Sequence, residues 1–135
     1  MLSIAPVFGL GYALGDQRGG NAPGNAVVRT VVLSGTSVAP RARARLEVLR
    51  PRRGNSLLTL SVVGLPKLPR HTYYEVDLVH GGKRPESCGT FRIASASHAV
   101  IVTLNAPLAP RKGDSWVVTR QAQGRERGVA VLRPV

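Results

Sequence analysis

The stretch Gly64–Phe91, GLPKLPRHTYYEVDLVHGGKRPESCGTF, decides how the rest of the chain is read. It runs turn, strand, turn, strand. Gly64, Pro66 and Pro69 halt the apolar run before them, because proline fixes φ and donates no backbone hydrogen bond. Thr72 to His80 is dense in β-branched and aromatic residues and predicts a strand. Gly81-Gly82 can take the positive φ of a tight hairpin turn. Ser87 to Ile93 then resumes an extended pattern. Together they predict the central hairpin of an all-β domain.

The flanking sequence continues in the same idiom. Ala26 to Leu33, AVVRTVVL, is nearly all β-formers. Arg41 to Leu49, RARARLEVL, alternates: Ala42, Ala44, Leu46 and Val48 share one parity, and Arg41, Arg43, Arg45 and Glu47 the other. Successive side chains of a strand point to opposite faces, so this is a half-buried strand with a basic outer face. Pro51 to Asn55 is a turn. Ser56 to Val63 alternates again, with Leu58, Leu60 and Val62 inward. Beyond the hairpin, His98–Leu104, Ser115–Ala122 and Val129–Leu132 predict three more strands. Asn105–Asp114 and Gln123–Gly128 are the turns between them, and Pro134 ends the last strand. About eight strands with no amphipathic helix predict one antiparallel β-sandwich, loosely immunoglobulin-like, over residues 26–135. Leu58, Leu60, Val76, Leu78 and Phe91 should meet between its two stacked sheets.

Met1 to Gly15, MLSIAPVFGLGYALG, holds no charge. A full membrane span needs ~20 apolar residues, so this run is short. It is read as the last turns of a membrane helix, because polar DQRGG follows at once. A signal peptide lacking its basic start and a loosely docked tail are the alternatives. Asp16 to Asn25, rich in Gly, Asn and Pro, is a linker.

The chain carries 19 Lys and Arg against 7 Asp and Glu, a formal charge of +12. That balance favours anionic partners: nucleic acid, acidic lipid or an acidic protein face. Arginine-rich composition is also what a GC-rich genome produces. Aromatics are few, which leaves little on which single-stranded bases could stack. Cys88 is the only cysteine, so neither an intrachain disulfide nor a cysteine-based zinc site can form.

Candidate chemistry is sparse. His71, His80 and His98 show no paired ligand spacing and read as surface or strand-end histidines. Cys88 lies across the hairpin from His80 and could be a nucleophile; a lone strand cysteine is otherwise a small buried hydrophobe. Glu75 and Asp77 point to one face, an arrangement that glycosidases and metal sites use. The plainer reading is an outward polar face whose charges meet arginines on a neighbouring strand. Arg41, Arg43 and Arg45, with Arg52 and Arg53 in the following turn, are the candidate contacts to an anionic partner. Otherwise they form a solvated face that discourages edge-to-edge sheet pairing. No catalytic, metal or cofactor site is assigned.

The segment GLPKLPRHTYYEVDLVHGGKRPESCGTFRI resembles the C-terminal domain of actinobacterial anti-sigma-K-type factors. That pattern runs G-L-P-x-L-P, a short turn, Y-x-L-W-L-V, a Gly turn, then G-x-F-x-V. Gly64, Leu65, Pro66, Leu68 and Pro69 match its opening. Tyr74, Val76, Leu78 and Val79 match its strand, and Gly89, Phe91 and Ile93 its close. Val102–Leu108 and Trp116–Gln121 are similar to the segments that follow. The likeness covers about Val28 to Val135, with Asp77 standing where the family often has Trp. The resemblance implies the outer domain of a single-pass membrane regulator, not an enzyme, with the β domain outside the membrane. In that family a cytoplasmic zinc-binding helical domain holds a sigma factor; this chain lacks its His-x3-Cys-x2-Cys segment. The implied partners are envelope or regulatory proteins, the membrane through residues 1–15, and a sigma factor only through a domain this chain does not carry. Nucleic acid is not among them.

Overall fold

A computed structural model describes residues 26–135, apart from 54, 82, 95–98, 107–109 and 123–127. The apolar segment 1–15, the linker 16–25 and His98 lie outside the described residues. Eight strands follow one another: β1 (Val27–Gly35), β2 (Arg43–Leu49), β3 (Ser56–Val63), β4 (Thr72–Val79), β5 (Glu86–Phe91), β6 (Val100–Ala106), β7 (Ser115–Ala122) and β8 (Val129–Pro134). Each lies where the sequence places a strand, with ends moved by a residue or two.

Hydrogen bonds join all eight into one sheet in the order β5-β4-β7-β8-β1-β2-β3-β6. Every neighbouring pair is antiparallel. The two end strands, β5 and β6, lie side by side, so the sheet is nearly closed. Three bulges help it curve, since an extra residue on one strand bends that strand and increases its twist. They place Val28, Cys88 and Val131 as the extra residues of β1, β5 and β8.

The parity read from sequence fills the interior. Ala44, Leu46 and Val48 of β2 and Leu58, Leu60 and Val62 of β3 are buried. Tyr74, Val76 and Leu78 of β4, Phe91 of β5, and Trp116 and Val118 of β7 join them in one core. The seam between β5 and β6 closes without a ladder. Gly89 sits there at φ +145, and a Cβ on it would come 2.6 Å from Leu104 Cδ2 of β6. The missing side chain is what lets the two end strands approach.

One end of the sheet is sealed by the GLPKLP loop. Leu65 and Leu68 turn in and are buried. The Tyr74 hydroxyl donates to the Pro66 carbonyl at 2.6 Å, and its ring stacks on Phe91 with centroids 5.4 Å apart. Gly64 makes this path possible. Its φ is +82, and a Cβ would stand 2.5 Å from the Arg41 carbonyl oxygen. At the other end Arg29 covers the buried Trp116, its guanidinium carbon 4.9 Å from the ring centroid, and donates to the Asp114 carbonyl at 3.0 Å.

Two substitutions separate these effects. Gly64→Ala should lose roughly 1–2 kcal/mol from the left-handed dihedral alone, and more from the clash with Arg41. Gly113→Ala meets the dihedral strain at φ +90 but open space, so it should cost less in urea denaturation. Tyr74→Phe keeps the ring stack and should cost about 0.5–1.5 kcal/mol, the net worth of one hydrogen bond.

Candidate functional site

Inward side chains fill the core, so chemistry falls to the outward parity. On β4 that parity carries Glu75, Asp77 and Val79; on β7 it carries Ser115, Val117, Thr119 and Gln121. Cross-strand pairing sets Glu75 opposite Thr119 and Asp77 opposite Val117. On the other side of β4, Thr90 and Ser87 of β5 are their partners. All of these but Thr90 line an open groove of 1160 Å³ on the outer wall. The β4–β5 turn adds Lys83 and Arg84 to its rim, and β8 adds Arg133.

The two carboxyls of this groove are unlike. Glu75 is partly exposed and accepts from Gln121 Nε2 at 3.3 Å; the same amide donates to Thr119 Oγ1 at 2.8 Å. Asp77 is only 7% exposed. Burial, followed by the hydrogen bond and the negative charge of Glu75, pushes its carboxyl up to about 7. Loss of water disfavours the charged form, and so does a like charge within reach. Near neutrality Asp77 is therefore about half protonated, where an ordinary carboxyl is fully charged.

This corrects the expectation of an outward acidic face met by arginines. The neighbours across β5 and β7 are hydroxyls, an amide and a valine, and Asp77 is buried. A glycosidase needs its two carboxyls ~5–9.5 Å apart, with the sugar or a water between them. Here Glu75 and Asp77 stand two apart on one strand, close enough for Glu75 to raise the Asp77 carboxyl. Among the described residues no cluster of His, Cys, Asp and Glu has the form of a metal site.

The histidines divide. His71 is exposed in a turn, at φ +63. His80 is not a surface residue: it is 7% exposed at the end of β4. Its Nε2 lies 3.0 Å from Glu86 Oε2 and its Nδ1 3.0 Å from Asp114 Oδ1. Asp114 also accepts the Arg111 amide at 2.6 Å. Burial works to raise the Asp114 carboxyl, but the Arg111 amide and His80 outweigh it and hold it below the usual range. This cluster ties the β4–β5 turn to the β6–β7 loop.

Cys88 is buried, as the plainer reading of a lone strand cysteine holds. Burial, then the charges of Asp77 and Glu86, push its thiol up to about 12. A thiol that far from ionisation is a poor nucleophile at neutral pH.

The arginines of β2 and the turn after it lie away from this groove. Arg43 and Arg45 project from the outer face of β2, with Arg41 just before the strand, and all three are exposed. Arg43 Nη1 donates to the Ala42 carbonyl at 2.9 Å. Arg52 and Arg53 are exposed in the β2–β3 turn. Since β2 lies between β1 and β3, its arginines guard no sheet edge.

Set against protein-family models, curated proteins and solved structures, the chain finds no significant match in any of the three.

The raised Asp77 carboxyl has a signed consequence. The folded form holds a proton that the unfolded chain releases above about pH 4, so this group lowers stability as pH climbs towards about 7. Below pH 4 both forms are protonated and the penalty vanishes. Thermal unfolding across that window should show a fall in Tm that Asp77→Asn flattens. An unchanged slope in the variant would assign the fall to other groups.

Proposed function

We propose that this chain is the outer, non-enzymatic β domain of a membrane anti-sigma factor of the anti-sigma-K type. It regulates sigma-dependent transcription through sensing or protein contacts, and the zinc-bearing domain that grips sigma lies outside this chain. One observation carries the reading: the residues that make the resemblance act as one unit. Gly64 lets the chain turn past Arg41, Leu65 and Leu68 plug the sheet end, Tyr74 holds Pro66 and stacks on Phe91, and Gly89 closes the seam. Residues scattered along 28 positions of sequence thus serve a single closure.

The immunoglobulin-like sandwich belongs to the same reading. β8 is held by three residue pairs on each side, to β7 and to β1, and β5 and β6 approach without a ladder. In this reading β5-β4-β7-β8 and β1-β2-β3-β6 form two four-stranded halves across one core. In this reading residues 1–15 anchor the chain; no helix among the described residues is long and apolar enough to cross a membrane. In this reading the domain binds rather than catalyses, with the outer groove as its recognition surface.

A second reading, a basic module for nucleic acid or another polyanion, is favoured by the exposed row Arg41, Arg43 and Arg45. Binding to a random DNA duplex should then be sub-micromolar and fall steeply with salt. The anti-sigma reading expects no such binding. It expects the chain in the membrane fraction, its release when residues 1–15 are deleted, and protease access to the β domain from outside the cell. In-frame genomic sequence upstream encoding a Cys/His helical domain, beside a sigma gene, would agree with it; an upstream stop codon with no such domain would sink it.

A further inference from the structure

The outer face of the half-sheet β1-β2-β3-β6 combines positive charge with exposed aliphatic side chains. Pairing sets Val32 opposite Arg45, Arg45 opposite Ser61, and Ser61 opposite Ile101. One transverse row therefore reads Val32, Arg45, Ser61, Ile101. The next reads Thr30, Glu47, Thr59, Thr103. Val32 is 55% exposed and Ile101 56%, and Val28 and Leu57 extend the apolar content towards the Arg52–Arg53 turn. Glu47 is the only acid on these strands. Among the described residues none of Arg41, Arg43 and Arg45 is in an ion pair.

We propose that this face rests on an anionic lipid bilayer, with the arginines among the lipid phosphates and Val28, Val32 and Ile101 at the boundary with the acyl chains. Charge complementarity selects an anionic surface. The aliphatic side chains select lipid over nucleic acid. Phosphates of a duplex would engage the arginines but leave three branched apolar side chains against water. The four strands hold no aromatic residue on which an unpaired base could stack. The contact is superficial, because the apolar parity of every strand points into the core and no wall of the sheet is apolar throughout. The inference stands apart from the anti-sigma reading: it concerns this face alone and needs neither the resemblance nor residues 1–15.

A face-specific probe tests it in the full chain. Cys88 is buried, so a polarity-sensitive dye can be attached selectively to Val32→Cys or, in a separate protein, to Val117→Cys on β7, part of the other half-sheet. The vesicles are phosphatidylcholine with phosphatidylglycerol at about 3:1, a surface that attracts polybasic segments, and phosphatidylcholine alone. The expected result is a blue shift at Val32→Cys only, on the anionic vesicles only. It should weaken with salt, and partitioning should drop at least about tenfold in R43E/R45E. R43Q/R45Q, with far-UV circular dichroism to verify folding, covers a failure of the charge-reversed form to fold. No shift at either position overturns the proposal. Equal shifts at both positions would point to insertion through residues 1–15, and that also overturns it. So does a DNA duplex that moves the Val32→Cys signal where vesicles do not.

Discussion

Every strand must turn alternate side chains into one shared interior, and that constraint governs everything else in this molecule. An eight-stranded sheet whose end strands meet has no spare face. Residues of one parity become core, and all other chemistry is forced onto the outer wall. The core here is built from Leu, Val and Ala with single large plugs, Trp116 and Tyr74, near the two ends. Those plugs matter because a curved sheet is open above and below, and an unsealed end would admit water to the apolar lining. Tyr74 solves this with a ring that packs and a hydroxyl that reaches the Pro66 carbonyl. Trp116 solves it by sitting beneath the Arg29 guanidinium, whose charge stays in contact with solvent while its plane covers the indole.

Much of this was legible locally. Parity in Arg41–Leu49 and Ser56–Val63 separates inward from outward residues without any knowledge of neighbours, and each inward residue named there is buried. Gly64, Pro66 and Pro69 mark a turn for reasons internal to their own backbone. What could not be read was whatever depends on who lies beside whom. The order of the strands is such a feature: hydrogen bonds join all eight into one nearly closed sheet, with β1 and β8 paired over three residues. No feature of GTSVAP or of VAVLRP announces that Thr36 will donate its hydroxyl to the Ala130 carbonyl and hold that bridge.

The candidate site failed to be legible for the same reason. Alternation places Asp77 on the outer face, and outer faces are ordinarily wet. Its burial comes from the bulge at Cys88, from the turn bearing Lys83 and Arg84, and from β7 on its other flank. All three are distant choices. His80 was taken for a strand-end histidine, and its position at the end of β4 agrees. Its enclosure depends on Asp114, 34 positions later, a partner no spacing rule connects to it. Cys88 was the easier case, since a cysteine among strand residues is buried by default.

Between them the two outer faces divide the chemistry that the core excludes. The wall of β4 and β7 gathers the carboxyls into a groove where Asp77 holds a proton near neutrality; the outer face of β1, β2, β3 and β6 spreads arginines among aliphatic side chains and keeps a single acid. A uniform basic coating, the outcome of codon bias alone, would put arginine on both walls indiscriminately. Outward positions of β4 and β7 hold two acids, Tyr73, hydroxyls, an amide and valines, with Lys83, Arg84 and Arg133 of β8 at the groove's rim, while those of β2 hold Arg43 and Arg45 within one strand. Asp77 sharpens the point. A buried acid beside another acid weakens the fold at neutral pH, and asparagine would fill the same space without that cost. Composition bias, which enriches arginine, gives no account of a buried acid in that groove.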